Sequence, residues 1–204
     1  MDILNLNSQI DFSLVSVVGM HFVKEIKIDN ITRNERDWLI GLFLADGSKY
    51  KNVRTYSVSF YLNSVKDSKI LERLKSILEK IGAKYGTYLE RRNTLNLRVQ
   101  CKKFFELMPN KDELYDVGSE SPEAFIAGFL DSDGYISKKY GCIGFSQTIV
   151  KWIGPFISNY LMFKGIKPWK NLIYRNCFYY TASLKKVREK TNIINFMAKS
   201  NYIA

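Results

Sequence analysis

The sequence predicts an α+β fold in which one unit is built twice, a pseudo-two-fold pair of tandem αββαββα repeats, and three observations predict it. The apolar stretches Trp38–Gly47 and Phe125–Gly134 match position by position. Each closes on Asp-Gly, with a glycine five residues before the final Asp and a small residue, Ala45 or Ser132, just ahead of it. The segments that follow also match. Ser64–Lys84 aligns without a gap on Gln147–Lys167, and the same offset brings Gln100–Lys103 onto Ser183–Lys186, which marks an internal repeat. Finally, short stretches in both halves alternate apolar and polar residues at the period of half-buried strands.

The elements follow in order. Residues 1–30 form an N-terminal extension without a counterpart later; its apolar run Leu14–Val23 is too short to span a membrane. The first half covers 31–108. Thr32-Arg33-Asn34-Glu35 fits a capping box that opens the first apolar helix. Strands near 48–52 and 56–63, a helix near 66–81, strands near 84–91 and 94–101 and a short helix from 102 to 108 complete it. Residues 109–120, polar and acidic, read as a short linker. The second half, 121–204, opens on Ser121-Pro122-Glu123, an N-cap with proline at the first helical position. Strands near 134–139 and 141–147, a helix near 149–164, strands near 168–174 and 177–184 and terminal helices repeat the plan.

The spelling of the apolar helices has a physical reason. Gly41 and Ala45 share one helical face, as do Gly128 and Ser132, so two such helices can meet backbone to backbone. Gly47 and Gly134 are then expected to turn the chain out of each helix with positive φ. Asp46 and Asp133 fall at helix C-termini, where the dipole is negative. Two carboxylates brought together there repel each other and raise their pKa values unless a cation intervenes. Hard divalent cations take carboxylate oxygens and share their other positions with water and phosphate.

Charge points to the partner. The 204 residues carry 31 Lys plus Arg against 20 Asp plus Glu, a net charge of +11, while 46% are hydrophobic. That describes a folded basic protein with a core of its own, and its cations concentrate in predicted turns. Lys49, Lys51 and Arg54 lie in or beside the first turn, Arg91 and Arg92 in the next, Lys138 and Lys139 in a third, and Lys170 and Arg175 around the last hairpin. These are placed for phosphates. The outward phase of the strands carries Ser57, Ser59, Tyr61, Asn96, Arg98, Gln100, Tyr179, Thr181 and Ser183, residue types that contact base edges. A strand of eight residues spans roughly 26 Å, enough to follow several base pairs.

Other chemistries find too few residues. Cys101, Cys142 and Cys177 have no paired spacing and His21 is the single histidine, which excludes a zinc finger and a Cys/His nucleophile. Gly-rich phosphate-binding fingerprints are absent. With no secretory pattern and no membrane-length segment, the chain reads as intracellular, in a reducing compartment, without a membrane partner.

The doubled motif resembles that of the LAGLIDADG homing endonucleases, and the likeness covers about residues 32–200. It implies two motif helices packed at the interface of two αββαββα halves, whose antiparallel sheets form a DNA-binding saddle. It implies metal at Asp46 and Asp133, with Ala45 and Ser132 beside them, and Mg²⁺ as cofactor, Mn²⁺ or Ca²⁺ replacing it in binding. Gln147, after Ser146, is implied as a water-orienting residue, with Ser64 at the aligned place in the first half. A basic residue often assists in the family, and Lys111, Lys138, Lys139 and Lys199 are candidates. Asp131 is a poor ligand candidate because its counterpart is Leu44. The implied activity is that of a monomeric endonuclease cutting both strands of a long, asymmetric double-stranded DNA target across the minor groove, leaving 3′ overhangs. An RNA maturase assisting intron splicing is the alternative on the same scaffold, and a non-cutting regulator a more distant one.

Overall fold

The computed structural model describes residues 26–90, 93–113, 122–148 and 151–199. Helix α1 (Arg33–Asp46) and helix α4 (Pro122–Asp133) pack on each other along their length. From Asp37 to Ala45 and from Ala124 to Asp131 every residue is buried, and helices apolar on all sides belong in the middle of a molecule. The capping box forms: Thr32 Oγ1 accepts from Glu35 N at 3.2 Å and Glu35 Oε2 accepts from Thr32 N at 2.8 Å. Ser121 lies outside the described residues.

Each motif helix runs into a four-stranded antiparallel sheet. The first holds β1 (Gly47–Lys51), β2 (Tyr56–Asn63), β3 (Tyr85–Leu89) and β4 (Thr94–Gln100) in the order β1-β2-β4-β3. The second holds β5 (Gly134–Ser137), β6 (Cys142–Gln147), β7 (Lys170–Tyr174) and β8 (Cys177–Ser183) in the order β5-β6-β8-β7. Helices α2 (Ser68–Lys80) and α5 (Ile153–Phe163) follow the second strand of each sheet, and α3 (Lys102–Leu107), α6 (Leu184–Lys190) and α7 (Ile193–Phe196) follow the last. The tandem αββαββα plan is therefore the observed one. No helix among the described residues is long and apolar enough to cross a membrane.

Two expectations about local geometry change. Gly47 is extended, with φ −84° and ψ 159°, and neither it nor Gly134 has positive φ. They are glycine because the strand starts against the last helical turn: a Cβ would lie 2.8 Å from Phe43 Cα in one case and from Leu130 Cα in the other. The left-handed glycines that end helices are instead Gly82 and Gly165, at φ 72° and 71°, after α2 and α5. Each N–H there bonds back into the helix, to Glu79 O and Met162 O, and the next N–H, of Ala83 or Ile166, reaches Leu78 O or Leu161 O, the paired bonds of a Schellman cap.

Register also revises the internal alignment. Gly47 pairs with Phe60 and Gly134 with Phe145, so Leu62, and not Ser64, takes the place of Gln147. The first half has a hairpin two residues longer, and two further residues between β2 and β4, which a gap-free match hides. From α2 onward the original offset holds, as the Gly82 and Gly165 caps show.

Candidate active site and nucleic-acid face

The two halves meet where they lack side chains. A Cβ on Gly41 would overlap the Phe125 carbonyl oxygen and stand 2.9 Å from Phe129 N; a Cβ on Gly128 would overlap the Trp38 carbonyl oxygen and stand 2.8 Å from its carbon. The contacts are reciprocal about a pseudo-dyad. This approach brings both helix C-termini together, and Ser132 Oγ donates across the interface to Asp46 Oδ2.

Asp46 and Asp133 thus form one acidic centre. Burial raises the pKa of Asp46, and the Asp67 carboxylate adds to it, against the Ser132 hydroxyl and the Lys111 and Lys199 ammonium groups. Burial, then the charge of Asp46, pushes Asp133 up to about 6, with Lys111 opposing. Lys111 answers to both carboxylates; its Nζ donates to Ala45 O at 3.3 Å, and burial pushes its own pKa down. Among the described residues no group of three or more His, Cys, Asp or Glu side chains forms a protein-only metal cage. A desolvated, mutually repelling carboxylate pair does suit a hard divalent cation that completes its shell with water and phosphate. Ala45 and Ser132 lie in the last turns of the two helices beside that pair.

The surroundings of the two carboxylates differ. Gln147 Nε2 donates to Asp133 Oδ2 at 2.7 Å, whereas the matching Leu62 is buried and apolar. On the Asp46 side stand Asp67 and Lys199, an ion pair at 3.1 Å. Asp67 was not singled out from the sequence, because nothing in the repeat pattern marks it. Of the candidate cations, Lys111 and Lys199 carry charges that act on the carboxylates, while Lys138 and Lys139 sit at the far turn of the β5–β6 hairpin. Asp131 is fully buried and turned away from that centre, bound to Trp38, Ala198 and Lys199.

The sheet faces turned away from the helices carry most of the expected nucleic-acid contacts in cross-strand rows. In the first sheet Ser48, Ser59, Arg98 and Gly86 form one row, Tyr50, Ser57 and Gln100 a second, and Tyr61, Asn96 and Tyr88 a third. In the second, Tyr135, Gly144, Thr181 and Lys170 form one row, and Ser146, Tyr179 and Leu172 another, with Ser183 beside Cys142. Tyr135 Oη and Thr181 Oγ1 lie 2.9 Å apart across Gly144. Arg54, Lys138, Lys139 and Arg175 are exposed in hairpin turns; Arg175 and Asn176, both with positive φ, make the two-residue turn of β7–β8.

Several of these residues are placed otherwise than expected. Lys49 shares the helix-packed face with Val58: its Nζ donates to Met108 O at 2.8 Å and lies over the Phe105 ring. Strand parity puts Lys51 on the same face, over Tyr56. Both stand at sheet positions, not in the turn, which begins at Asn52. Ser57, Ser59 and Asn96 have the outward phase yet are buried, since short side chains on central strands are shaded by long neighbours such as Arg98 and the tyrosines. Asn96 Nδ2 is engaged by Glu90 at 2.9 Å. Arg91 and Arg92 lie outside the described residues.

No protein-family model matches the sequence. A stretch of 121 residues is 32% identical to an uncharacterized protein of Methanocaldococcus jannaschii, covering 57% of this chain and 44% of that protein. The chain thus spans less than half the length of that relative. Among solved structures, a variant of the homing endonuclease I-DmoI matches with a TM-score of 0.59 and 18% identity, over 78% of this chain and 96% of that one. I-WcaI, bound to its DNA recognition sequence, gives 0.53 and 14%, over 83% and 82%. The N-terminal LAGLIDADG domain of WhiA gives 0.51 and 16%, over 78% and 81%. The fold of this chain is the two-unit LAGLIDADG fold.

Proposed function

We propose that this chain, which has the fold of the LAGLIDADG homing endonucleases, is a site-specific endonuclease that hydrolyses both strands of a long, asymmetric DNA duplex. The observation that carries the reading is the Asp46–Asp133 pair, desolvated and mutually repelling at the junction of two basic, polar sheet faces. I-DmoI has been captured with DNA together with Mn, with Ca and, as a variant, with Mg. The same class of cation suits this pair, and Mg²⁺ is the one we assign. When bound, it supplies charge neutralisation at the attacking and leaving oxygens of a phosphodiester.

The chain's own residues divide the remaining work. Gln147, held on Asp133, orients the attacking water at that centre. Lys111, within reach of both carboxylates, offsets their charge before substrate arrives. In hydrolysis water forms the new P–O bond, the P–O bond to the leaving sugar oxygen breaks, and the water's proton passes to that oxygen or to solvent. The sheet rows differ between the halves: Ser59 and Arg98 in one stand where Gly144 and Thr181 stand in the other. Unequal rows read unequal half-sites, so a single chain suits an asymmetric target, and we assign a monomer.

A duplex made by joining the sequences that flank the gene's insertion point tests this with Mg²⁺. Cuts in both strands, staggered to leave 3′ overhangs, are expected; binding without cutting, or preference for the RNA of the same junction, overturns the reading. Affinity carries a second expectation. Arg54, Lys138, Lys139 and Arg175 at the turns, with Arg98 and Lys170 on the faces, give six candidate phosphate contacts, so raising salt from about 50 to about 200 mM should weaken binding by about a thousandfold. A filter-binding titration with a flat salt response would argue against the basic faces as the DNA site.

A further inference from the structure

The internal repeat is its own control for the two outward sheet faces. With the Gly47–Phe60 pair matched to Gly134–Phe145, strand pairing puts Arg98 of the first sheet where Thr181 stands in the second, Gln100 where Ser183 stands, Asn96 where Tyr179 stands and Tyr88 where Leu172 stands. Side chains able to make paired hydrogen bonds to one base are thus exchanged, place by place, for hydroxyls, a ring and an alkyl group. The exchange is general. Among the described residues, no outward strand position of the second sheet holds Arg, Asn, Gln, Asp or Glu, and Lys170 is the one charged residue there.

On the first face Arg98 is prepared for a base. Its Nε donates to Ser59 Oγ at 3.4 Å and its guanidinium lies 5.7 Å over the Tyr88 ring, which leaves both terminal nitrogens for a ligand. In the major groove guanine presents O6 and N7 to such a fork, and adenine presents N6 and N7 to a glutamine amide. Gln100 follows Arg98 by two residues on the same face, roughly 7 Å along the strand or about two base-pair steps. Asn96 is withdrawn from this task, being buried, with its amide held by Glu90 at 2.9 Å.

The second face has little left to donate. Thr181 Oγ1 and Tyr135 Oη bind each other at 2.9 Å, and Ser183 Oγ accepts from Lys186 N in the first turn of α6. Lys170 lies 4.7 Å over the Tyr179 ring, and Leu172 is exposed beside it. Such a surface offers methyl and ring carbon. Its match in the major groove is the 5-methyl group that thymine alone presents.

Resting on the endonuclease reading, we propose that the two sheets read their half-sites by different chemistry. The first pairs Arg98 with a guanine and Gln100 with an adenine about two base pairs away. The second packs Leu172, Tyr179 and the Thr181 methyl on thymine methyl groups. Assigned to a base, Arg98 leaves five of the six candidate cations for phosphates. The target therefore has one half-site fixed by hydrogen bonds and one fixed by thymine methyls.

Single-atom changes in the DNA test this. The flanking-sequence duplex, kept whole by chelator, is compared by competition binding with duplexes carrying deoxyuridine for thymine, which removes the methyl, or 7-deazaguanine for guanine, which removes the N7 acceptor, in one half-site at a time. Deoxyuridine should weaken binding about fourfold per contacted methyl in one half-site and by under about twofold in the other. 7-Deazaguanine should weaken it about tenfold in that other half-site only. Variants then name the reader. Leu172→Ala and Thr181→Ser should each shrink the deoxyuridine effect, and Thr181→Ser keeps the hydroxyl that meets Tyr135. Arg98→Met should cancel the 7-deazaguanine effect and leave the deoxyuridine effect as it was. Both effects in the same half-site, no deoxyuridine effect in either, or effects undiminished in these variants overturn the assignment, while cutting of the unsubstituted duplex in Mg²⁺ upholds the endonuclease reading. If that duplex is neither bound nor cut, the endonuclease reading falls and the assignment with it.

Discussion

Replacing Asp46 or Asp133 by Asn should abolish double-strand cleavage while leaving DNA binding intact and the metal-free protein more stable. The two results share one cause. Each carboxylate sits at the negative end of its helix, largely removed from water and facing the other, so its charge is tolerated for chemistry and not for folding. The folded pKa of Asp133, about 6, lies above the ordinary carboxylate range, so folding favours the protonated form. Below about pH 4 both states are protonated and the group has no effect. Between about pH 4 and 6 the unfolded chain gives up the proton while the folded state keeps it, so stability falls across that window and levels off above it, where the folded state carries the charge at a cost. Full conversion of that difference would be about 3 kcal/mol; because the site is partly open to water, screening brings the expected gain of Asp133→Asn at pH 7 nearer 1–2 kcal/mol. Urea melts of the parent and variant, run at pH 4 and pH 7 with chelator, should diverge only at the higher pH. Adding Mg²⁺ should then raise the parent and leave the variants nearly unchanged, because binding to the native state alone stabilises it. A variant that still linearises a target plasmid in Mg²⁺ would show that the metal is held elsewhere.

How much of this was legible beforehand depends on whether one residue or a register decides it. The helices, the strands and the tandem plan follow from patterns repeated within the chain, so both copies of each signal support the other. Lys49 shows the limit. A lysine next to a predicted turn looks like a phosphate contact, but strand parity sends it to the helix-packed face, where the Met108 carbonyl and the Phe105 ring accept it. Parity depends on where the strand begins, and Gly47 begins it one residue sooner than the pattern indicates. The pairing of Gln147 with Leu62 is hidden for a similar reason: the first half carries two extra residues in its first hairpin and two more between β2 and β4, so the gap-free offset that holds from α2 onward is wrong for β2. The Asp67–Lys199 pair and the hydrogen bonds of Asp131 to Trp38, Ala198 and Lys199 join residues from four separate segments without repetition. No periodicity announces them, and only their three-dimensional meeting shows what Lys199 is near.

The second large effect is expected from a single methyl group. Gly41→Ala or Gly128→Ala should destabilise the protein by about 1–3 kcal/mol, the usual cost of forcing an extra group into a filled interior. An exposed helical glycine changed to alanine would instead gain about 1 kcal/mol from propensity, so even the sign of the change distinguishes the two situations. Here the added Cβ meets backbone carbonyls of Phe125 or Trp38, which cannot rotate away as a side chain could. The helices themselves must move apart. Because the contacts are reciprocal, the two variants should cost nearly the same, and the pair together should cost less than their sum, since one separation relieves both overlaps. The same movement widens the gap between Asp46 and Asp133. Cleavage of both strands should therefore fall in parallel, by more than the loss of folded protein explains. Urea midpoints with strand-resolved rates on the same preparations measure both quantities. A Gly41→Ala protein as stable and as active as the parent would mean that the helices do not meet at this glycine.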